Sequence, residues 1–159
     1  MSTWAATSIP TLSNPDCSMS DTQRIALFVG SFDPFTEGHA DIVSRALQLF
    51  DRLVIGIGVN PEKKYLFSEE ERLAAIRQRY TGNQRISVEV YHDMTIDLAR
   101  RTGVSCIVKG VRTMKDFLYE RRQAEYNYEH GGIETLLLPA RKELKLVSSS
   151  RIRKKLTKK

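Results

Sequence analysis

From Arg24 onward the chain alternates short apolar runs with amphipathic stretches, and that rhythm limits the fold more than any other feature. The runs fall at 24–30 (RIALFVG), 52–58 (RLVIGIG), 85–91 (RISVEVY), 104–110 (VSCIVKG) and 133–139 (IETLLLP). Each is rich in Ile, Val and Leu and continuous enough for a strand covered on both faces. Between them, ADIVSRALQLF places Ile42, Val43, Ala46, Leu47 and Phe50 at helical spacing. SEEERLAAIRQRY opens with Ser68 and Glu71 in capping-box register, and TIDLARRTG ends on Gly103 as a helix C-terminus does. MKDFLYERRQAEYNYEHGG reads as a charged helix closed by Gly131 and Gly132, and a last helix is expected to start near Ser148. Strand and helix units in this order predict a doubly wound α/β domain with a five-stranded parallel sheet over 24–159. Ligands of such sheets sit at the carboxyl ends of the strands, where strand order reverses.

The first 23 residues, rich in Ser, Thr and Pro, read as a disordered leader; they lack the basic start and apolar core of a secretory signal and the Arg of a transit peptide. No apolar run approaches the roughly 18 residues of a membrane span. Cys17 falls in the leader and Cys106 in an apolar run, where it reads as a buried thiol, so a reducing, cytoplasmic setting is expected. The net charge is +6, and residues 151–159 alone hold six of the 25 basic residues and no acid, leaving 19 against 19 elsewhere. That tail reads as a solvated helix end before it reads as a nucleic-acid patch.

The chemistry is expected at the end of the first strand, GSFDPFTEGH, residues 30–39. Gly30 permits close approach of a ligand to the backbone, and Gly38 and His39 fall at a helix N-terminus, where free N–H groups and the helix dipole attract phosphate. Taken alone, the stretch is equally well a turn at Asp33 and Pro34 followed by a capping histidine.

GSFDPFTEGH, together with DIVSRALQLFDRLVIGIGVNPEKK, resembles the nucleotidyltransferase superfamily that carries the (H/T)xGH motif, here Thr36-Glu37-Gly38-His39. LVSSSRIR resembles that superfamily's second signature, Ser-Ser-Ser-x-x-Arg, at Ser148, Ser149, Ser150 and Arg153. KGVRTMKDFLYERRQAEYN is similar to the segment that marks the bacterial phosphopantetheine adenylyltransferase branch, and the likeness runs from about Arg24 to Lys155. The resemblance implies a Rossmann-like nucleotidyltransferase fold and transfer of AMP from ATP to 4'-phosphopantetheine with Mg²⁺. It further implies a homo-hexamer, with coenzyme A as a candidate feedback ligand.

Carried over residue by residue, the resemblance implies that His39 donates to the α-phosphate, that Lys63 reaches between the two phosphates and that Arg112 binds the β- and γ-phosphates. Ser31, a position usually Thr, would hold the acceptor phosphate, with Phe32 and Gly110 beside the nucleotide. Glu120 would contact the ribose, and Ser148, Ser149, Ser150 and Arg153 the triphosphate. Thr95, with Met94, Lys109 and Asn127 would contact the pantetheine side. Outside the family frame, Lys63 and Asn127 read as surface side chains and Glu120 as an acid paired with Arg121 or Arg122. Asp33 reads as a turn residue before it reads as a metal ligand, and no metal-ligand spacing occurs, so Mg²⁺ is expected to arrive with the nucleotide.

The chain departs from the family pattern at Val29, where Pro is common, and at Lys109, where Arg is usual; lysine keeps the charge but loses the bidentate fork. It also stops at Lys159, short of a further turn and helix usual in the family, which predicts a divergent or truncated member. Two other readings stand beside the first. One is a relative that transfers AMP or CMP to another phosphate, such as nicotinamide mononucleotide or glycerol phosphate; the other is an inactive nucleotide- or nucleic-acid-binding module using the basic tail.

Overall fold

The computed structural model describes residues 23–158. The expected leader, apart from Gln23, lies outside the described residues, and so does Lys159.

Five strands form one parallel sheet: β1 (Ile25–Gly30), β2 (Arg52–Gly58), β3 (Ile86–Tyr91), β4 (Cys106–Val111) and β5 (Glu134–Pro139). Their order is β3-β2-β1-β4-β5. Helices α1 (Glu37–Leu49), α2 (Glu69–Arg79), α3 (Thr95–Thr102) and α4 (Met114–Gly131) connect them, and a short 3₁₀ turn at Lys142–Leu144 leads into α5 (Ser149–Leu156). The apolar runs become strands because their side chains alternate between two cores. Ala26 and Phe28 face one core with Ile42, Val43, Ala46 and Ile76 of α1 and α2, whereas Leu27 and Val29 face the other with Leu98 and Ala99 of α3.

The helix termini follow from local chemistry. Ser68 and Glu71 form the expected capping box at α2, and Thr113 and Asp116 form another at α4. α3 and α4 end on Gly103 and Gly132, both left-handed at φ 64°, a conformation that costs a β-carbon-bearing residue about 1 kcal/mol. The fourth strand begins at Cys106, two residues later than its apolar run, because Val104 follows the glycine cap and packs as a buried loop residue.

Strand order reverses at β1, which lies between β2 and β4. The β1–β2 ladder continues to Gly30–Ile57, but β1 and β4 pair only from Ala26–Cys106 to Phe28–Val108. Beyond Phe28 the two strands part, and the last residues of each are left to line a crevice. Gly56, mid-β2, keeps the sheet packed tightly beside that crevice: a β-carbon there would sit 2.7 Å from Cδ2 of Leu98 and 3.1 Å from Cγ1 of Val29. Leu98 is fully buried and has nowhere to move. Gly56→Ala should therefore lower the unfolding free energy by about 1–3 kcal/mol, the usual cost of overpacking a filled core, read as a lower urea midpoint at unchanged slope.

Candidate active site

The crevice opens into a cavity of about 580 Å³ at the carboxyl ends of the strands. The segments that follow all five strands line it: the β1–α1 loop, the loop after β2, the β3–α3 loop, the β4–α4 junction with one face of α4, and the stretch from β5 into the start of α5.

The β1–α1 loop is fixed from three sides. Asp33, 2% exposed, accepts the backbone N–H groups of Leu66 and Phe67 on its two carboxylate oxygens, each at 2.9 Å. Ser149 of α5 donates to the Pro34 carbonyl at 2.8 Å, and Arg153 donates to the Asp33 carbonyl. Arg72 of α2 donates to the Ser31 carbonyl at 2.7 Å. Asp33 is thus the turn residue that its sequence context suggests, and it ties the β2–α2 loop to the site. Phe32 adopts φ 46° and packs on Phe28, Phe35 and His39 at ring-centroid distances of 5.2, 5.3 and 5.0 Å. The space freed by Gly30 is filled by this ring, since a β-carbon there would meet Cε1 of Phe32 at 2.9 Å. Gly30 also lines the cavity, so the Phe32 ring fills only the direction a side chain would take.

His39 lies in the first turn of α1, and its Nδ1 accepts the Thr36 backbone N–H at 3.0 Å, with the Thr36 hydroxyl at 3.2 Å. An accepting Nδ1 carries no proton, so this network assigns the proton of the neutral ring to Nε2. Burial, then the positive charges of Arg112 and Lys109, push the His39 pKa down to about 4. At neutral pH the ring is an uncharged N–H donor at a helix N-terminus.

Around it the cavity is lined by cations. Lys63 follows a turn closed by its own N–H to the Asn60 carbonyl at 3.0 Å, and its side chain is exposed. Arg112 is steadied by Asp116, whose carboxylate accepts its backbone N–H at 3.2 Å and lies 3.5 Å from its Nε. Lys109 stands where β1 and β4 part, 3.5 Å from the Val29 carbonyl and 3.3 Å from Glu120. Glu120 is therefore paired across the cavity and not with its helix neighbours, of which Arg121 pairs with Glu125. The Lys109–Glu120 contact is an ion contact and not a hydrogen bond, and it leaves Oε2 of Glu120 buried without a hydrogen-bond partner.

Ser31, Phe32, His39, Lys63, Thr95, Lys109, Gly110, Arg112, Glu120, Asn127, Ser149, Ser150 and Arg153, the residues singled out in the sequence, all line the cavity. Ser148 does not; its hydroxyl accepts the Arg151 N–H at 3.3 Å and caps α5. Asn127 is not a surface residue, since it is 7% exposed and donates to the Thr135 hydroxyl at 3.3 Å. Thr95 shares a 3.0 Å hydrogen bond with the Tyr91 hydroxyl. Sequence reasoning missed Tyr65 and Arg72. The available signal was the position of Arg72 one turn before the buried Ile76, on the covered side of α2.

Among the described residues no group of three or more His, Cys, Asp or Glu could hold a metal ion. The two carboxylates that line the cavity are each engaged by a cation, Asp93 by Arg101 at 2.6 Å and Glu120 by Lys109. The cations that face the cavity thus suit a bound polyanion.

The cytidylyltransferase-like family matches residues 27–155. The phosphopantetheine adenylyltransferase of Porphyromonas gingivalis is 47% identical over 131 residues, which cover 82% of this chain and 86% of that protein. The enzyme of the same name from Bacteroides fragilis is 48% identical over 130 residues, covering 82% and 87%. Among solved structures, the bifunctional NMN adenylyltransferase/ADP ribose pyrophosphatase of Francisella tularensis, complexed with AMP and a manganese ion, superposes with a TM-score of 0.63. It is 20% identical, over 86% of this chain and 42% of that one, so it shares the fold. The lipopolysaccharide core biosynthesis protein of Thermoplasma volcanium shares it at a TM-score of 0.55 and 18% identity, over 76% of this chain and 98% of that one. With nearly half its residues shared across most of each curated relative, the chain belongs to the phosphopantetheine adenylyltransferase family.

Proposed function

We propose that the chain transfers AMP from ATP to 4'-phosphopantetheine, giving dephospho-coenzyme A and pyrophosphate. The observation that carries the chemistry is the neutral Nε2–H donor of His39 at the head of α1, in one cavity with Lys63, Lys109, Arg112 and the N-terminus of α5. The reaction is in-line displacement. An oxygen of the acceptor phosphate forms a bond to the α-phosphorus of ATP as the bond to the bridging oxygen breaks, and pyrophosphate leaves with that electron pair.

Such a step needs positioned anions and compensation of charge, not a protein nucleophile. His39 donates to the α-phosphate oxygens, and its neutrality lets it act by a directed hydrogen bond. Ser31 holds the acceptor phosphate, and Lys63, on an exposed and adjustable side chain, bridges the two phosphates. Arg112, with the N–H groups and hydroxyls of Ser149 and Ser150, takes the β- and γ-phosphates. Lys109 faces the acceptor, and Glu120, Thr95 and Asn127 line the walls for ribose and pantetheine. Mg²⁺ bound to the triphosphate would supply further charge neutralisation. Among the described residues no helix is long and apolar enough to cross a membrane. Met114, Phe117 and Leu118, at 71, 39 and 46% exposure, share one side of α4 and support a homo-oligomer.

Incubation with Mg²⁺, ATP and 4'-phosphopantetheine should release pyrophosphate. Release with nicotinamide mononucleotide or glycerol phosphate in its place would assign the site to another acceptor, and ATP binding without any release would sink the catalytic reading. His39→Ala should lower kcat by about 10²-fold or more, as loss of a transition-state donor does, while the ATP Kd changes little; equal losses in both would reduce His39 to a binding residue. The His39 ring should titrate well below its ordinary pKa of 6.5. Its contribution to stability is complete above pH 6.5 and is lost as pH falls from there toward about 4, because the unfolded chain takes up the proton first. NMR titration of the ring Cε1–H checks this, and a midpoint near 6.5 would contradict the buried, cation-flanked donor.

A further inference from the structure

Arg72 is 3% exposed, and among the described residues no carboxylate lies within ion-pair distance of it. A buried cation without a counter-ion is costly, so its surroundings must offset the loss of water. Three groups do so. Nη1 donates to the Ser31 carbonyl at 2.7 Å, Nε donates to the Ser68 carbonyl at 3.3 Å, and the guanidinium lies 4.2 Å from the centroid of the Tyr65 ring. None of them neutralises the charge.

The bond to Ser31 sets more than the position of one carbonyl. The Ser31–Phe32 peptide is trans, since the one cis bond among the described residues is Asp33–Pro34. In a trans peptide the N–H points opposite to the C=O. Pinning the Ser31 oxygen toward α2 therefore turns the Phe32 N–H away from α2, on the side of the cavity that both residues line. That N–H donates to no acceptor among the described residues. Phe32 itself sits at φ 46°, a conformation disfavoured for a residue with a β-carbon, and its ring is locked among Phe28, Phe35 and His39. A strained peptide with a free donor on one side and a buried cation on the other has the makings of an anion seat.

We propose that Arg72 is a positioning residue that holds the Ser31–Phe32 peptide so that its N–H is offered to a substrate phosphate, with the uncompensated guanidinium charge behind it. The inference rests on the adenylyl-transfer reading and assigns to that site a residue that touches no substrate. It explains why a charged side chain is buried without an acid: a carboxylate partner would cancel the field that favours phosphate. It also explains why the residue is arginine. Its planar fork reaches two carbonyls while stacking on a ring, which a lysine ammonium does not reproduce.

The test compares Arg72→Gln and Arg72→Lys with wild type in the pyrophosphate assay, and follows the Phe32 amide by ¹H–¹⁵N NMR during titration with inorganic phosphate. In the wild-type protein the Phe32 amide proton should move downfield on addition of phosphate. In Arg72→Gln that response should be lost, and kcat/KM should fall by about 10²-fold, the scale set by removal of one oriented donor. Arg72→Lys, with charge but no fork, should fall between the two. A merely structural role would lower Tm and leave kcat/KM and the Phe32 response of the folded fraction within about twofold of wild type, and that result would overturn the proposal. Should Arg72→Gln not fold, Arg72→Lys and the wild-type titration still decide, because an unresponsive Phe32 amide in wild type is equally fatal. A wild-type chain that binds phosphate at Phe32 yet releases no pyrophosphate would instead strike the adenylyl-transfer reading and leave this one standing.

Discussion

The carboxylate of Asp33 is the contact on which the site depends. Buried at 2% exposure, it spends both oxygens on the backbone N–H groups of Leu66 and Phe67 and so joins the turn after β1 to the loop after β2. Hydrogen bonds to a charged acceptor contribute about 1.5–3 kcal/mol each, roughly twice the neutral value. The same turn receives α5 through Ser149 and Arg153 and α2 through Arg72. Within residues 31–34, the carbonyls of Ser31, Asp33 and Pro34 and the Asp33 side chain thereby anchor α2, α5 and the loop after β2. The Phe32 N–H and the Ser31 side chain, both on the cavity wall, are left for a ligand.

Charge is organised around the same turn. His39, Lys63, Lys109, Arg112 and Arg153 converge on one cavity, while the carboxylates at its edge are held by Arg101 and Lys109. The cations act on the histidine as well as on a ligand. They add to burial in keeping its ring neutral, and Thr36 fixes which nitrogen keeps the proton. A single arrangement thus prepares both a positive potential and a directed neutral donor.

Much of this was legible in the sequence because it depends on local order. Apolar runs of strand length, the capping box at Ser68, and glycines after α3 and α4 are read from neighbours along the chain. Most of the cavity side chains were legible only through the family resemblance of the motifs; the rule that a parallel sheet presents ligands at its strand ends pointed by itself to the stretch 30–39. What escaped was decided by contacts between distant segments. Asn127 lies on a charged helix yet is buried against Thr135, and Glu120 passes over its neighbouring arginines for Lys109 on another element. Ser148 has the same residue type as Ser149 and Ser150, but its place one residue before α5 turns its hydroxyl inward to the helix backbone.

The sequence by itself determined the elements, their parallel arrangement and the family signature, because periodicity, capping and motif spacing are properties of short stretches. Only the tertiary structure decided that β1 and β4 part after Phe28 and Val108, opening the crevice, and that Arg72 enters beneath the loop without a counter-ion. The reason is physical. An arginine in a helix carries the same local preference whether it meets water or a buried carbonyl, and only the packing of α2 against the β1–α1 loop distinguishes the two.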